Sequence, residues 1–400
     1  MDSSKFYLQN NLAQTNPYMM GIDVSHAEGL HIYDKRGKAY LDLISGLGVS
    51  ALGHGNQAVN DALKAQIDRH LHVMVYGEFR QDAQLQLANL LAENLPSSLD
   101  TSYFVNSGTE ANEAALKLAK RVTGRQRIIA FRGAYHGSTH GSLSVSGNDY
   151  KKTAFQPLLP QVEFIHLNRY EELASIDFTC AAVIVETIQG DAGIRIPEQA
   201  YLEALRQQCD RVGALLIFDE VQAGMGRAGT LWAFEHYDVV PDILTLGKAL
   251  GAGLPIGALI SSQANMSQFT FDPMLGHITT FGGHPLICAG AYAGLKYLLS
   301  TNLIAEANEK GQLLHDLLIE HPLVTEIRFR GLYFAIEMET AEVVQRVVER
   351  CLEEGLITFW FLSCPNAFRV APPLVITREE LREAGLRMCE VFDEVLEGRC

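Results

Sequence analysis

Short apolar runs alternate with amphipathic stretches through the middle of the chain. The apolar runs lack the in-and-out alternation of a half-buried strand, and the stretches between them repeat apolar residues at helical spacing. Apolar strands that alternate with helices are typical of a mostly parallel sheet that helices cover on both faces. The predicted strands are 102–105, 127–131, 162–166, 181–186, 214–219, 243–246 and 256–261, and the predicted helices are 110–122, 198–212 and 285–299.

Beyond residue 300 the pattern changes and predicts a smaller α+β domain. Its predicted elements are helices at 303–320, 341–354 and 377–396, with strand pairs near 324–338 and 356–370.

A further strand pair is predicted near the N-terminus. Residues 30–43 read LHIYDKRGKAYLDL, which is typical of a hairpin that turns at 35–38. Because this hairpin precedes the large domain, we expect it to pack with the C-terminal one. The predicted division is an N-terminal segment at 1–48, a large domain at 49–300 and a C-terminal α+β domain at 301–400, so that the small domain is discontinuous.

Composition and charge narrow the class of protein. The 400 residues are 48% hydrophobic and 20% charged, as in an ordinary globular protein. The chain has 47 Asp and Glu residues against 32 Lys and Arg residues, and its formal net charge is −15. A broad electrostatic attraction to nucleic acid or to an anionic membrane is therefore excluded, although a local basic pocket for a small anion is compatible with this charge.

The cysteines and the N-terminus indicate where the protein works. Seven scattered cysteines without a C-x-x-C pair predict neither a disulfide framework nor a thiolate zinc site, and the histidines show no metal-ligand spacing. Residues 1–11 lack the apolar run of a signal peptide, and no stretch approaches the ~18 apolar residues of a membrane span. We expect a soluble, cytoplasmic protein without a metal.

A candidate anion site lies at the start of the first helix of the large domain. Residues 106–111 read NSGTEA and separate the strand SYFV from the helix. The backbone amides of Gly108 and Thr109 would point outward from a helix N-terminus, which is a favourable place for a phosphate. The alternative is an ordinary cap, in which Ser107 or Thr109 satisfies the first turn.

Two further residues follow apolar strands. Asp219 ends the run LLIFD, and Lys248 directly follows the strand ending TLG, in a stretch rich in glycine. The carboxyl edge of such a sheet is where α/β proteins bind ligands, and apolar surroundings lower the pKa of a lysine that forms imines. A phosphate-type turn, an aspartate and a lysine at one sheet edge are the three anchors that pyridoxal phosphate (PLP) needs.

The chain resembles the class III (subgroup II) aminotransferases of PLP fold type I, and among them the acetylornithine/ornithine branch. The resemblance spans nearly the whole chain. It is carried by the segments GLHIYDKRGKAYLDLISGLGVSALGHGN, FVNSGTEANEAALKLAKRVTGR, FRGAYHGST, IFDEVQAGMGRAGTLWAFEHYDVVPDILTLGKALGAGLPIGA, HITTFGGHPL and FRVAPPLVIT. It implies an α/β fold with a seven-stranded, mostly parallel sheet between helices, plus a smaller discontinuous α+β domain.

The resemblance also implies roles for individual residues. Lys248 would form the imine with the cofactor and act as the general base, and Asp219 would hold the pyridine nitrogen. Gln222 would bind the phenolic oxygen, Tyr135 would stack on the ring, and Thr280 would reach the phosphate of the neighbouring subunit in a homodimer. The remaining implied contacts are Ser107, Gly108, Thr109, His136 and Glu186 for the cofactor, and Arg369, Ser138, Asp191, Leu47 and Tyr18 for the substrate.

The reaction implied by the resemblance is ping-pong transamination. An amino acid or ω-amine of the ornithine or acetylornithine type would be the donor and 2-oxoglutarate the acceptor, its carboxylate held by Arg369. The sequence departs from many relatives in the substrate pocket. Ser138 stands where they carry an arginine, Asp191 where they carry a glutamate, and Leu47 where ornithine-specific members place an aromatic residue.

Several alternatives are compatible with parts of the sequence. Residues 224–229 read GMGRAG and satisfy the G-x-G-x-x-G pattern of an NAD-dependent dehydrogenase. These glycines do not follow a strand directly, and Pro241 interrupts the stretch after them, so the context is wrong for that fold. A different reaction on the same cofactor is the stronger alternative: a pyruvate-dependent ω-transaminase, an aminomutase, a racemase or a decarboxylase. A silent binding protein on this scaffold is disfavoured because Lys248, Asp219 and Thr109 are all present.

Overall fold

The N-terminal part of the chain begins with a three-stranded antiparallel meander. The structure is a computed structural model that describes residues 11–13, 15–16 and 20–398, so the substrate contact predicted at Tyr18 lies outside the described residues. The meander turns between its second and third strands because the Asp34 carboxylate accepts the N–H groups of Arg36 and Lys38, at 2.8 and 2.9 Å. The elements of this part are β1 (Val24–Glu28), β2 (His31–Asp34), β3 (Ala39–Asp42), α1 (Ser45–Gly48), α2 (Gln57–Arg69) and α3 (Asp82–Glu93).

A seven-stranded sheet forms the centre of the molecule. The strands are β4 (Thr101–Val105), β5 (Arg127–Phe131), β6 (Val162–Ile165), β7 (Cys180–Glu186), β8 (Leu215–Asp219), β9 (Ile243–Gly247) and β10 (Gly257–Ser261). Their order is β4-β10-β9-β8-β7-β5-β6, and β10 alone runs antiparallel to its neighbours. The prediction of a mostly parallel α/β sheet is confirmed.

Helices cover this sheet, as the apolar character of the strands requires. All seven residues of β7 are buried, which explains why the strand shows no alternation of polar and apolar positions. The helices of this part are α4 (Gly108–Thr123), α5 (His140–Val145), α6 (Gln199–Val212), α7 (Gln263–Met266) and α8 (Pro285–Leu299). Helix α4 begins two residues earlier than the pattern predicts, because the hydroxyl of Ser107 caps it by accepting the Glu110 N–H at 3.3 Å.

The C-terminal part is an α+β arrangement, as predicted. Its elements are α9 (Leu303–Leu318), β11 (Glu326–Arg330), β12 (Tyr333–Glu337), α10 (Ala341–Glu353), β13 (Leu356–Ile357), β14 (Phe359–Trp360), β15 (Ala367–Val370) and α11 (Arg378–Leu396). One sheet has the antiparallel order β11-β12-β15-β14. None of the described helices is long and apolar enough to cross a bilayer.

The N-terminal meander and the C-terminal part share a sheet. Strand β13 pairs in parallel with β3, which completes the order β1-β2-β3-β13. The segment predicted as a strand pair at 356–370 is thus divided, because β14 pairs with β15 while β13 joins the meander. The boundaries of the predicted domains themselves stay a prediction.

The buried Arg227 ties three separate segments together. It donates to the carbonyls of Leu332 and Pro372 at 3.0 and 2.5 Å, and to the Ser45 hydroxyl at 3.3 Å. Burial lowers its pKa to about 10. Since Ser45 begins α1, Leu332 precedes β12 and Pro372 follows β15, this side chain fixes the segments that surround the site described next.

Candidate active site

The candidate site lies at one edge of the central sheet. Strands β4, β7, β8 and β9 run in the same direction, so their carboxyl ends meet at this edge. Glu186 ends β7, Asp219 ends β8, and Lys248 follows β9 directly. The two anchors that the sequence placed after separate strands therefore lie on neighbouring strands.

Lys248 occupies a constrained and largely enclosed position. Its φ is +44°, in the left-handed region that side chains rarely adopt, so the surrounding structure imposes this conformation. Burial lowers its pKa to about 8, and the positive charge of Arg369 acts in the same direction. The negative charges of Asp219, Asp191 and Glu186 raise this pKa and partly offset the effects of burial and of Arg369.

Asp219 is buried and fully engaged. One carboxylate oxygen accepts from Asn112 Nδ2 at 2.8 Å and faces His136 Nδ1 at 2.7 Å. The other accepts the Val221 N–H at 3.0 Å. These contacts hold the carboxylate in one orientation at the end of β8, and His136 is buried behind it.

Sequence reasoning missed Asn112. Besides Asp219, its Nδ2 contacts the His136 carbonyl at 2.8 Å, and its Oδ1 accepts from the Thr245 hydroxyl at 2.8 Å. The residue is buried on the face of α4 that carries Ala111, Ala115 and Leu118. A polar side chain on an otherwise apolar stripe was the available signal, since a buried amide needs partners.

The start of α4 reaches the sheet edge because residue 108 is glycine. A Cβ on Gly108 would lie 2.6 Å from Val221 Cγ1, and a Cβ on Gly247 would lie 3.3 Å from the Gly108 backbone. The side chain of Ser107 satisfies one N–H of the first turn, whereas the N–H groups of Gly108 and Thr109 have no carbonyl four residues earlier in the helix. The cap and the anion site are therefore compatible.

Tyr135, Ser138 and Glu186 form one wall of the site. Glu186 accepts the N–H groups of Tyr135 and Gly190, both at 2.9 Å, and burial raises its pKa to about 7. The Tyr135 hydroxyl lies 3.1 Å from Ser138 Oγ, and the aromatic ring is partly open to solvent. The short, neutral Ser138 thus contacts the tyrosine.

Gln222 lies on another side, beside two glycines. A Cβ on Gly190 would come within 2.9 Å of Gln222 Oε1 and 2.2 Å of the Tyr333 hydroxyl, and a Cβ on Gly48 within 3.7 Å of Gln222 Cγ. Among the described residues, Gln222 Nε2 and the Tyr333 hydroxyl are buried polar atoms without a hydrogen-bond partner. Leu47 precedes Gly48 in the short turn α1, with φ +64° and an exposed side chain.

An ion pair closes the site on the side of the C-terminal sheet. Arg369 on β15 donates from Nη2 to Asp191 Oδ1 at 3.2 Å, and both residues are buried. The Arg369 guanidinium also lies over the Phe361 ring at 4.6 Å. Thr280 does not join this cluster: it is exposed, next to Thr279, which accepts from Asn106 Nδ2 at 2.8 Å.

The donors and acceptors at this edge suit PLP. An amine with a lowered pKa, an oriented carboxylate and an open helix N-terminus are the groups that an aldehyde, a pyridine nitrogen and a phosphate require. The buried Nε2 of Gln222, which has no partner among the described residues, is a further donor that PLP could use. In the described part of the chain, no cluster of three or more His, Cys, Asp or Glu side chains could hold a metal ion.

Known proteins share this sequence and fold. The family model described as Aminotransferase class-III matches residues 12–392. An acetylornithine aminotransferase of Methanopyrus kandleri is 41% identical over 369 residues, which cover 91% of this chain and 92% of the relative. A [LysW]-aminoadipate semialdehyde/glutamate semialdehyde transaminase of Sulfolobus acidocaldarius is 36% identical over 91% of this chain and 93% of its own.

A solved ornithine aminotransferase of Toxoplasma gondii, described with PLP at its active site, superposes with a TM-score of 0.89. It is 32% identical, and the match covers 99% of this chain and 94% of that one. Family and fold agree with the groups assembled at the sheet edge. The chain belongs to the class III aminotransferases and is a PLP-dependent transaminase.

Proposed function

We propose that this transaminase moves an amino group from an amino acid or ω-amine of the ornithine or acetylornithine type to 2-oxoglutarate, in a ping-pong reaction. One observation carries the proposal: a buried arginine, Arg369, lies close enough to the reactive Lys248 to lower its pKa, and a single hydrogen bond to Asp191 holds it. A guanidinium in that place suits the carboxylate of an oxo acid.

We assign the cofactor contacts to residues of the sheet edge. Asp219 holds the pyridine nitrogen, oriented by Asn112, and Gln222 Nε2 donates to the phenolic oxygen. The backbone at Gly108 and Thr109, with Ser107, holds the phosphate. Tyr135 stacks on the ring. His136 acts through Asp219, since its Nδ1 faces that carboxylate, and Glu186 fixes the backbone of Tyr135.

Lys248 carries out proton transfer. When bound, PLP supplies an electron sink that acidifies the C–H bond of the amine-bearing carbon. With a pKa of about 8, roughly a tenth of Lys248 is neutral at pH 7, far more than of a lysine with the usual pKa of 10.5, so its Nζ can accept that proton and return it. The same nitrogen anchors the cofactor between turnovers. The negative charges of Asp219 and Glu186 act on the pKa of this amine in the direction opposite to burial.

One alternative acceptor, pyruvate, has structural support. Ser138 offers no positive charge, and Leu47, directly before Gly48, presents an exposed apolar side chain. Both features suit a pyruvate-dependent ω-transaminase, whose acceptor has a single carboxylate. A solved ω-transaminase of Pseudomonas jessenii, in complex with PMP, is 26% identical with a TM-score of 0.90. The names of the more similar relatives favour the ornithine-like donor.

We further propose a homodimer in which Thr280 reaches the phosphate of the partner's site. Thr280 is exposed, and the segment around it and the segment after α2 carry many exposed apolar side chains, as a surface covered by a second copy would. These side chains are Leu71, Met74, Phe79, Phe271, Met274, Leu275, Ile278 and Phe281. A second copy of the chain is the partner that places Thr280 at a phosphate.

A cytoplasmic location is also part of the proposal. The six cysteines among the described residues are all free, and five of them are buried. Burial raises the pKa of the thiols of Cys209, Cys288 and Cys351 to about 12, so these side chains pack as small apolar groups. A reducing compartment suits such a set.

The test is the visible absorption spectrum of the protein given PLP. We expect a band that borohydride abolishes while attaching the cofactor covalently to the peptide with Lys248, and no such attachment in Lys248→Ala. Ornithine or acetylornithine should bleach the band, and 2-oxoglutarate should restore it with formation of glutamate. Restoration by pyruvate alone would support the ω-transaminase alternative, and a wild type without the band would refute the PLP assignment.

A further inference from the structure

We propose that Lys151 is a positioning residue of the substrate site around Arg369 and Asp191. When a substrate carboxylate displaces Asp191 from Arg369, Lys151 binds the displaced Asp191. The inference rests on the proposed acceptor, 2-oxoglutarate.

The ion pair between Arg369 and Asp191 is incompletely formed. It consists of one hydrogen bond, and it leaves Asp191 Oδ2 and Arg369 Nε buried without a partner among the described residues. A carboxylate that bound Arg369 through two nitrogens would use the free Nε, but it would have to displace Asp191 from Nη2. The displaced Asp191 would then be a buried charge without a partner, which is costly.

Lys151 is the cation placed to take it. Its Nζ lies 3.8 Å from Asp191 Oδ2, the unpartnered oxygen, and 5.9 Å from the centre of the Tyr135 ring. The side chain is half-buried, and Asp191 counteracts the effect of burial on its pKa. A shift of about 1 Å would turn this contact into a hydrogen bond.

The segment around Lys151 is fixed at the cleft. Asp149 binds both Arg132 Nη1, at 2.7 Å, and Lys152 Nζ, at 3.1 Å. Asn148 Nδ2 donates to Ser363 Oγ at 2.9 Å, and the Ser363 N–H donates to the Asp191 carbonyl at 3.3 Å. Lys151 therefore stays beside Asp191 while the side chains exchange partners.

The charges then balance for a substrate that brings one carboxylate to Arg369. Two cations, Arg369 and Lys151, share the single carboxylate of Asp191 in the free protein. With substrate bound, Arg369 pairs with the substrate and Lys151 with Asp191. A substrate without a carboxylate leaves Asp191 bound to Arg369, so its binding does not depend on Lys151.

The test uses protein loaded with pyridoxamine phosphate, so that only the oxo-acid half-reaction is followed. We expect Lys151→Met to raise the 2-oxoglutarate concentration for half-maximal rate by about tenfold, with the limiting rate changed by less than about twofold. The half-saturating concentration of hexanal, an aldehyde without a carboxylate, should not change. Lys151→Arg should restore 2-oxoglutarate binding, and Lys35→Met, at an exposed lysine of the β2–β3 turn, should have no effect.

A double-mutant cycle with Asp191→Asn tests whether Lys151 acts through Asp191. The neutral amide that this substitution introduces needs no cation, so Lys151→Met in the same chain should change 2-oxoglutarate binding by less than about twofold. An equal loss in both backgrounds would show direct substrate binding and overturn the inference, as would a Lys151→Met variant that binds 2-oxoglutarate like the wild type. If hexanal but not 2-oxoglutarate converted the bound pyridoxamine phosphate of the wild type to PLP, the proposed acceptor and the inference would both be refuted.

Discussion

Lys248 combines a strained backbone with an enclosed amine. Its φ is +44°, directly after the end of β9, and burial lowers the pKa of its amine to about 8. Both properties come from the surroundings of the residue, since a lysine on a flexible loop would have neither. In the proposed function, the charge state of this nitrogen decides when the protein can take up PLP.

The rate of cofactor capture should follow the titration of Lys248. Only the neutral amine attacks an aldehyde, so capture of PLP by the apo-protein should rise tenfold per pH unit below 8 and level off above about 8, well below the usual lysine value of 10.5. Stopped-flow absorbance over pH 6–10 measures the rate. The rate constant of neutral butylamine with PLP, measured in the same buffers, corrects the capture rate for the titration of PLP itself. A corrected rate still rising at pH 10 would show that the amine has an ordinary pKa.

Asn112 should matter for both stability and cofactor binding. In Asn112→Ala, the Thr245 hydroxyl and the His136 carbonyl lose a buried partner and Asp219 loses a donor, which should lower the free energy of unfolding by about 1–3 kcal/mol. The dissociation constant of PLP should rise because Asp219 is less well oriented. Thr245→Val serves as the matched control, since it disturbs the same network without touching Asp219. Equal PLP binding in the wild type and Asn112→Ala would refute a role in orienting Asp219.

At the scale of elements, helix α4 is positioned by close contact with the strand ends. Gly108 permits that contact, because any side chain there would collide with Val221. The helix ends at another glycine, Gly124. Its φ is +68°, in the left-handed conformation that is common after a helix and that glycine adopts without strain. The two glycines thus serve different purposes, which substitutions can separate.

Gly108→Ala should weaken PLP binding, by moving the start of α4 away from the sheet edge. The added Cβ would lie 2.6 Å from Val221 Cγ1, and Val221→Ala in the same chain should restore part of the affinity by making room. Gly124→Ala should destabilise the protein by about 1 kcal/mol but leave PLP affinity unchanged. Fluorescence titration with PLP and thermal melting give the two quantities. Unaltered PLP affinity in Gly108→Ala would exclude this end of α4 as the phosphate site.

At the scale of the whole molecule, the proposed sharing of sites between subunits can be tested by mixing inactive proteins. Lys248→Ala lacks the base, and Thr280→Asp would repel the phosphate of the partner's site. A mixed dimer has one site with Lys248 from one protomer and Thr280 from the other, so co-refolded protein should regain up to half of the wild-type activity per dimer. Sedimentation of each variant confirms the dimer. Absence of recovery in mixed dimers would place Thr280 outside the partner's site.

Long-range pairing also determines the surroundings of the proposed substrate site. Strand β13 joins β3, the Ala371 N–H donates to the Leu43 carbonyl at 2.6 Å, and the Leu374 N–H donates to the Ala51 carbonyl at 2.8 Å. These contacts bring α1, with Leu47, and β15, with Arg369, to the same cleft. The hairpin at 30–43 was predicted from local pattern, whereas its pairing with residues more than 300 positions later was not.

The amino-acid sequence sufficed to predict the central sheet and to place the proposed cofactor anchors at strand ends. Apolar strands, the helix cap at Ser107, and an aspartate and a lysine directly after strands are local signals, and in a parallel sheet the strand ends necessarily meet at one edge. The resemblance added Gln222 and Arg369, and the structure brings both to that edge. The partners of these residues, by contrast, follow from the three-dimensional fold. Asn112 beneath Asp219, Lys151 beside Asp191 and β13 beside β3 depend on contacts between distant segments, and periodicity along the chain carries no information about which distant side chains meet.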